Sequence, residues 1–246
     1  MYLKSILAAG AIVALAGCAS MHNEPPGAQP LEEQTLATQA ADVLQRQMQQ
    51  PPDKRIPQAL LADARCVGVF PSFTQAAFIV GGARGHGIVV CRNQNGQGQG
   101  WKNASPAFYT LTSGSIGFQA GIQSSGVILL FLTPQGVNAL TRNNVKFGAD
   151  VGIAAGPLGW HAGFNGAPAA VVSYQVNKSG LFAGINLNGT KLSFDRTSTS
   201  DVYDNQQISG PQEVLFQMNK VPPSVDVFNN TLAQIASQSP SSAVSR

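Results

Sequence analysis

The sequence contains few charged residues, with 15 Lys and Arg and 12 Asp and Glu among 246 positions, or 11%. A composition this poor in charge argues against a charged disordered tail and against a nucleic-acid-binding arm. It also disfavours a cytosolic helical bundle, whose outer face needs charge. Hydrophobic residues make up 43% of the chain, which is ample for a core. We therefore expect a folded protein with no nucleic-acid partner.

Acidic residues are especially scarce in the middle of the chain, where Asp150 is the only one between Asp63 and Asp195. Hydrolysis by a pair of carboxylates needs two acidic side chains close together, and this part of the chain has too few of them. No G-x-S-x-G nucleophile elbow is present, and the glycines of NQNGQGQG lie outside the strand-to-helix context of a dinucleotide site. We expect neither catalysis nor a cofactor, and a hydrolase built on His161 and Asp150 is the weakest alternative.

Cysteine is rare, with three residues at Cys18, Cys66 and Cys91. If Cys18 carries a lipid, the other two form an even pair in an oxidising compartment. A Cys66–Cys91 disulfide is then expected, and the alternative is two buried thiols that act as small hydrophobes. Their spacing resembles no zinc motif, and the three histidines do not cluster with them. We therefore expect no metal site.

Residues 1–18 have the pattern of a bacterial lipoprotein signal peptide. Lys4 precedes a short apolar run from Ile6 to Leu15, which is too short to span a bilayer of ~30 Å as a helix. The run ends in Leu-Ala-Gly-Cys, so Cys18 is expected to carry a diacylglyceryl thioether and an N-terminal acyl chain such as palmitate. Ala19 then favours the outer membrane, with the domain in the periplasm. An ordinary signal peptide with a chance cysteine is the alternative.

Composition divides the rest of the chain into four segments. Residues 19–30 read as a tether, and residues 31–52 as an N-terminal helix with its following turn. Residues 53–205 form the β-rich domain, which holds most of the glycines, 22 of the 26 lying between positions 68 and 189. Residues 206–246 are expected to form C-terminal helices and a frayed tail.

The centre is predicted to be rich in strands. Alternation over 145–155 predicts one eleven-residue strand, and the apolar run Val127–Leu132 predicts a strand buried on both faces. Asn188-Gly189 predicts a type I′ hairpin turn between strands at 181–187 and 190–195. Further strands bring the count to roughly nine, at 66–70, 76–80, 85–92, 115–122 and 169–176.

Helices are predicted on both sides of these strands. Apolar residues at helical spacing predict a helix over 31–50, packed on the domain; a membrane-lying helix would need more Lys and Arg on its polar face. Shorter helices are expected at 56–65 with Pro57 at the start, at 133–141 with Thr133 as N-cap, at 211–219, and after Ser224 as N-cap. The fold class is therefore α+β, with a strongly curved, mainly antiparallel sheet, open or closed, and flanking short helices.

The central segment, residues 53–205, is basic, with 11 Lys and Arg against six Asp and Glu. Basic residues attract anionic headgroups by ~1 kcal/mol each near an anionic surface. Alternatively, each of these residues is an ordinary solvated surface charge. Trp101 or Trp160 could insert into the membrane interface, and the alternative for each is packing within the protein. The candidate headgroup contacts are Lys54, Arg55, Arg84, Arg92, Lys102, Arg142 and Lys146.

A series of motifs from about residue 56 to 205 resembles the SYLF domain family, a lipid-binding domain of bacterial lipoproteins and of some eukaryotic actin-patch and endosomal proteins. The motifs, in chain order, are IPQALLADARCVGVFPS, AFIVGGARGHGIVVCR, SPAFYTLTSGSIGFQAG, VILLFLTPQGVNAL, KFGADVGIAAGPLG and SYQVNKSGLFAGINLNGTKLSFD.

The resemblance implies phospholipid binding and brings no catalytic residues with it. Eukaryotic members favour phosphoinositides with the help of a basic N-terminal helix, whereas the helix over 31–50 is acidic here. We expect a lipid-anchored envelope protein that binds phospholipid. The alternative is a structural or adaptor lipoprotein that binds another envelope protein.

Overall fold

A computed structural model describes residues 31–92, 100–156, 169–176 and 187–238, without the side chains of Leu31, 77–80 and 115–121. The helices are α1 (Leu31–Met48), α2 (Gln58–Asp63), α3 (Pro134–Leu140), α4 (Arg196–Val202) and α5 (Asp226–Ser237), with a π-helical turn at Glu213–Gln217. The strands are β1 (Cys66–Cys91), β2 (Ala107–Phe131), β3 (Asn144–Lys146), β4 (Ile153–Ala155), β5 (Val171–Val176) and β6 (Lys191–Phe194).

The described strands form one curled sheet around the long strand β2. Along one side β2 pairs with β1 over nearly its whole length, and along the other it pairs with β6 and then with β5. All of these pairings are antiparallel, and only β4 runs parallel to its neighbour β5. The predicted α+β class with a curved, mainly antiparallel sheet is confirmed, and the described strands form a half-barrel.

Strands β1 and β2 form a long ribbon that bends back on itself. The two ends of β1 come together, since the Arg92 amide donates a hydrogen bond to the Arg65 carbonyl at 2.8 Å and a disulfide joins Cys66 to Cys91. The register shifts at two places along β1, between Phe70 and Phe73 and again further on. Such irregularities bend a strand and increase its twist.

Glycine allows the two halves of β1 to approach each other. A Cβ atom on Gly87 would lie 2.3 Å from the Phe70 ring and 2.6 Å from the Val69 carbonyl oxygen. A Cβ atom on Gly85 would lie 2.8 Å from the Ser72 carbonyl oxygen. Because real Cβ atoms do not approach this closely, a side chain at either position would push the halves of the strand apart.

The hydrophobic core lies between the sheet and the helices. The second half of β2 is buried throughout Val127–Phe131, as predicted for a strand covered on both faces. One face of α1 packs against β1 and α5. Its apolar residues recur at helical spacing, which is why the sequence predicted this helix correctly; they are Ala37, Ala40, Val43 and Leu44.

The predicted eleven-residue strand over 145–155 is wrong. The chain forms two short strands, β3 and β4, separated by a turn. Gly148 has a φ of +83°, and the Asp150 carboxylate accepts a hydrogen bond from the Lys146 amide at 2.7 Å. Val145, Phe147 and Val151 are buried, but Ala149 is exposed, so the alternation of burial stops at the turn.

Other predicted strands were too short. The segments 66–70, 76–80 and 85–92 belong to the single strand β1, while 115–122 and 127–132 belong to β2. Pro71 looks like a strand breaker in the sequence, but it lies at the first register shift of β1. Proline is tolerated at a bulge because no ladder hydrogen bond is needed there.

The turn at Asn188-Gly189 also differs from the predicted type I′. A type I′ turn needs a positive φ at both central residues. Gly189 has a φ of +82°, but the φ of Asn188 is not positive. The Thr190 amide donates to the Leu187 carbonyl, which gives the pattern of a type II turn. The rest of the predicted strand at 181–187 lies outside the described residues.

Helix ends follow local capping chemistry in most cases. Thr133 caps α3 as predicted, with its hydroxyl accepting from the Gly136 amide at 3.2 Å. Ser224 is not the cap of α5, because Val225 occupies that position. Helix α4 was not predicted, since its sequence RTSTSDV has few apolar residues; Asp195 caps it by accepting from the Ser198 amide.

Gly87→Ala should lower the free energy of unfolding by about 1–3 kcal/mol, because the added methyl group meets Phe70. Gly114→Ala is the matched control, since a Cβ atom there has nothing within 4 Å. Urea unfolding followed by circular dichroism measures both. Equal unfolding midpoints would show that the halves of β1 are not closely packed.

Alkaline pH should destabilise the fold through three buried tyrosines. Burial raises the pKa of Tyr109, Tyr174 and Tyr203, that of Tyr174 to about 12. In the unfolded chain a tyrosine loses its proton near pH ~10, so folded-state stability is complete below that pH. Above it, stability should fall by at most ~1.4 kcal/mol per pH unit per tyrosine until the raised pKa is reached.

Tyr174→Phe separates this effect from hydrogen bonding. The Tyr174 hydroxyl has no hydrogen-bond partner in the described part of the chain, so the variant should keep its stability at pH 7 and lose about a third of the alkaline slope. Tyr109→Phe loses a bond of 2.8 Å to the Leu140 carbonyl and should also lose ~1 kcal/mol at pH 7. Urea unfolding between pH 9 and pH ~11.5 would test both, and an unchanged slope in Tyr174→Phe would contradict the account.

Candidate functional site

A cavity of about 650 Å³ lies between the beginning of α1 and the bent ribbon, and we call it the α1 groove. Its volume is in the ~300–1,000 Å³ range of small-molecule sites. The lining comes from four elements: Glu32, Glu33, Thr35, Leu36 and Gln39 of α1; Ser72, Thr74, Arg84, Gly85, His86 and Gly87 of β1; Phe108 and Tyr109 of β2; and Asp195 and Ser198 at the start of α4.

The bend in β1 creates this groove. Residues from both halves of the strand line it, Ser72 and Thr74 from the first half and Arg84 to Gly87 from the second. Leu36 is partly buried and lines the groove, whereas Phe108 and Tyr109 border it as core residues that are each 1% exposed. The groove therefore combines apolar surface with charged side chains over a short distance.

A small polar cluster fixes one wall of the groove. The His86 Nδ1 atom lies 3.2 Å from the Thr110 hydroxyl and 3.7 Å from the Asp195 carboxylate. Asp195 also caps α4, so the cluster ties the ribbon to that helix. Both contacts involve the same ring nitrogen, whereas a hydroxyl–histidine–carboxylate relay uses the two opposite nitrogens. This geometry positions the ring and does not activate the Thr110 hydroxyl.

Charges of both signs line the groove. Arg84 is exposed and forms no ion pair within the described ranges. Glu32 is exposed, whereas Glu33 is only 6% exposed and has no hydrogen-bond or ion-pair partner among the described residues. Sequence analysis selected Arg84 but missed both glutamates. Acidic residues in a first helical turn are common for helix stability, so their pattern gave no sign of a site.

The structure does not gather the seven predicted basic residues into one patch. Arg84 lines the α1 groove, Lys146 lines a second cavity of about 510 Å³ and Arg92 a third of about 330 Å³. The others are exposed on connecting segments around the domain: Lys54 and Arg55 between α1 and α2, Lys102 before β2, and Arg142 after α3.

The Arg92 guanidinium is engaged in contacts within the fold and is not free to bind a headgroup. Its guanidinium lies 4.7 Å from the centre of the buried Trp101 ring and donates to the Leu61 carbonyl at 3.0 Å. Burial lowers the pKa of Arg92, and the nearby charge of Asp63 partly opposes this. Trp101 is thus explained by packing. Trp160 and His161 lie outside the described residues.

Lys146 has a basic neighbour that the sequence did not reveal. It lies directly opposite Lys191 in the β3–β6 register, and both line the second cavity with Asp150. Like charges at opposed strand positions repel. Lys191 was missed because the pairing of β3 with β6 joins residues that are far apart in the chain.

The predicted cysteine pair closes the ends of the bent strand. Cys66 and Cys91, the first and last residues of β1, are joined by a disulfide. Cys18 lies outside the described residues, so its lipidation stays a prediction.

Comparison with known proteins gives one decisive result. A model of the Ysc84 family, described as Las17-binding protein actin regulators, matches residues 112–235, about half of the chain. The chain belongs to this family. This confirms the predicted SYLF domain. No curated protein matches the chain.

The Ysc84 match and the α1 groove overlap only in part. Asp195 and Ser198 lie inside the matched range, whereas the lining residues of α1 and β1 precede it. The matched range also extends past residue 205 and includes α5 as far as residue 235. Among the described helices, none is both long and apolar enough to cross a membrane.

Proposed function

We propose that this Ysc84-family protein is a lipid-anchored protein of the bacterial envelope whose domain binds phospholipid without catalysing a reaction. The observation that carries the proposal is the α1 groove, which places apolar and charged surfaces side by side. A phospholipid is the envelope molecule with the same combination, since acyl chains and glycerol adjoin a charged headgroup.

The groove has separate residues for the apolar part and for the charged part of a phospholipid. Leu36, a partly buried residue that lines the groove, offers apolar contact for the upper part of the acyl chains. Arg84 offers a guanidinium, which recognises phosphate through paired N–H donors. Its exposed position at the groove, without an ion-pair partner in the described structure, leaves those donors available to a ligand.

The short tether supports the proposal, because a lipid at Cys18 would stay within reach of the groove. Residues 19–30 connect Cys18 to the first residue of α1. A tether of twelve residues spans at most ~40 Å when fully extended. Glu32 and Glu33 line the groove, so the tether attaches beside it. The lipid at Cys18 would therefore hold the groove near the bilayer surface.

One further observation supports the envelope location. The disulfide between Cys66 and Cys91 is favoured in an oxidising compartment such as the periplasm. The family description refers to actin regulation. That activity does not fit a lipoprotein of the bacterial envelope, so we carry over only the lipid association that the SYLF resemblance implies.

Vesicle flotation of the mature chain carrying Cys18→Ser tests phospholipid binding without the covalent anchor. We expect the protein to float with vesicles of mixed phosphatidylethanolamine and phosphatidylglycerol. Arg84→Glu should lower the bound fraction at least about fivefold, because it places a carboxylate where the phosphate binds. Arg46→Glu is the matched control, since Arg46 is exposed on α1 and does not line the groove.

Two results would contradict the proposal. If Arg84→Glu and Arg46→Glu weaken flotation equally, binding depends on overall charge and not on the groove. If the protein floats with no vesicle at low or high salt, the domain does not bind lipid. The adaptor alternative would then be preferred, with Cys18 as the membrane contact.

A further inference from the structure

Glu33 is an unusual carboxylate for its degree of burial. It is 6% exposed, it lines the α1 groove, and neither a hydrogen bond nor an ion pair reaches it from any described residue. Its carboxylate oxygens are not among the fully buried, unpartnered polar atoms of the described residues, so they reach the water of the groove. A ligand in the groove can replace that water and donate hydrogen bonds to the carboxylate.

The position of Glu33 in its helix does not supply a hydrogen-bond partner. Glu33 lies in the first turn of α1, where the helix dipole favours a negative charge. That favourable field supplies no hydrogen-bond donor to the carboxylate oxygens. Arg84 and His86 line the same groove, but neither lies within 4.0 Å of the Glu33 carboxylate.

The charge of the groove differs from that of the whole domain. Three carboxylates line it, from Glu32, Glu33 and Asp195, whereas Arg84 and His86 are its basic residues. The basic excess of residues 53–205 favoured an anionic headgroup, but this local balance opposes one. A zwitterionic headgroup, with a phosphate and an ammonium group, matches both signs.

We propose that the α1 groove selects phospholipids whose headgroup carries a primary ammonium group, with Glu33 accepting hydrogen bonds from the ammonium while Arg84 donates to the phosphate. The inference rests on the proposed phospholipid binding and specifies its ligand. A primary ammonium has three N–H donors, and a quaternary ammonium has none, so Glu33 distinguishes headgroups by hydrogen bonding as well as by charge.

A headgroup series tests the inference on the unsubstituted groove. The mature chain with Cys18→Ser is floated with phosphatidylcholine vesicles that contain a fixed fraction of one test lipid. The test lipids are phosphatidylethanolamine, its N-methyl and N,N-dimethyl derivatives, and phosphatidylglycerol. Binding should fall at each methylation, and phosphatidylethanolamine should be bound about tenfold better than phosphatidylglycerol.

Glu33→Gln then tests the role of the carboxylate. The substitution keeps the shape of the side chain, so the thermal midpoint should be retained while the preference for phosphatidylethanolamine falls at least about fivefold. Asp42→Asn is the matched control, because Asp42 is exposed on α1 outside the groove and should leave the preference unchanged. If Glu33→Gln does not fold, the methylation series still tests the inference.

A competition arm distinguishes a lipid headgroup from a free amine. Soluble glycerophosphoethanolamine in excess should displace the protein only weakly, because it lacks the acyl chains that the apolar surface contacts. Complete displacement would overturn the inference in favour of a soluble amine ligand.

The remaining outcomes separate the two proposals. Equal binding of all test lipids, or an unchanged preference in Glu33→Gln, would overturn the selectivity and leave phospholipid binding intact. Binding to no vesicle would overturn both.

Discussion

The close approach of the two halves of β1 is the contact on which the rest of the architecture depends. Gly87 lies against the Phe70 ring and Gly85 against the Ser72 carbonyl, and there is no room for a side chain at either glycine. The disulfide between Cys66 and Cys91 holds the ends of the same strand together. A straight ribbon would separate Ser72 and Thr74 from Arg84, and the α1 groove would not exist. Backbone packing at two glycines therefore determines whether the domain has the α1 groove.

Charge acts locally in this domain. The described basic residues of 53–205 are spread across several loops and three cavities, and they form no single anionic-lipid surface among themselves. Arg92 is engaged with Trp101, and Lys146 faces Lys191 across a strand pair. The α1 groove has more acidic than basic residues, and Glu33 is the residue on which the proposed headgroup selectivity rests.

Sequence patterns predicted the features that depend on nearby residues. Helical spacing located α1, the Thr133-Pro134 pair located the start of α3, and the apolar run Val127–Leu132 located the buried half of β2. Long-range contacts were not predictable in this way. Pro71 falls at a bulge and not at a strand end, and Glu33 lines a cavity to which residues distant in the chain contribute. Neither outcome has a local signal, so the cavity and its acidic residue could be found only in the folded chain.

Photocrosslinking is the most direct test of the central claim that phospholipid binds in the α1 groove. The mature chain with Cys18→Ser would be irradiated in vesicles containing a phosphatidylethanolamine with a diazirine near the start of one acyl chain. Mass spectrometry would then locate the adducts. The account predicts adducts in peptides that contain Leu36, Gly87 and Phe108. Adducts confined to the cavities of Lys146 or Arg92 would contradict it.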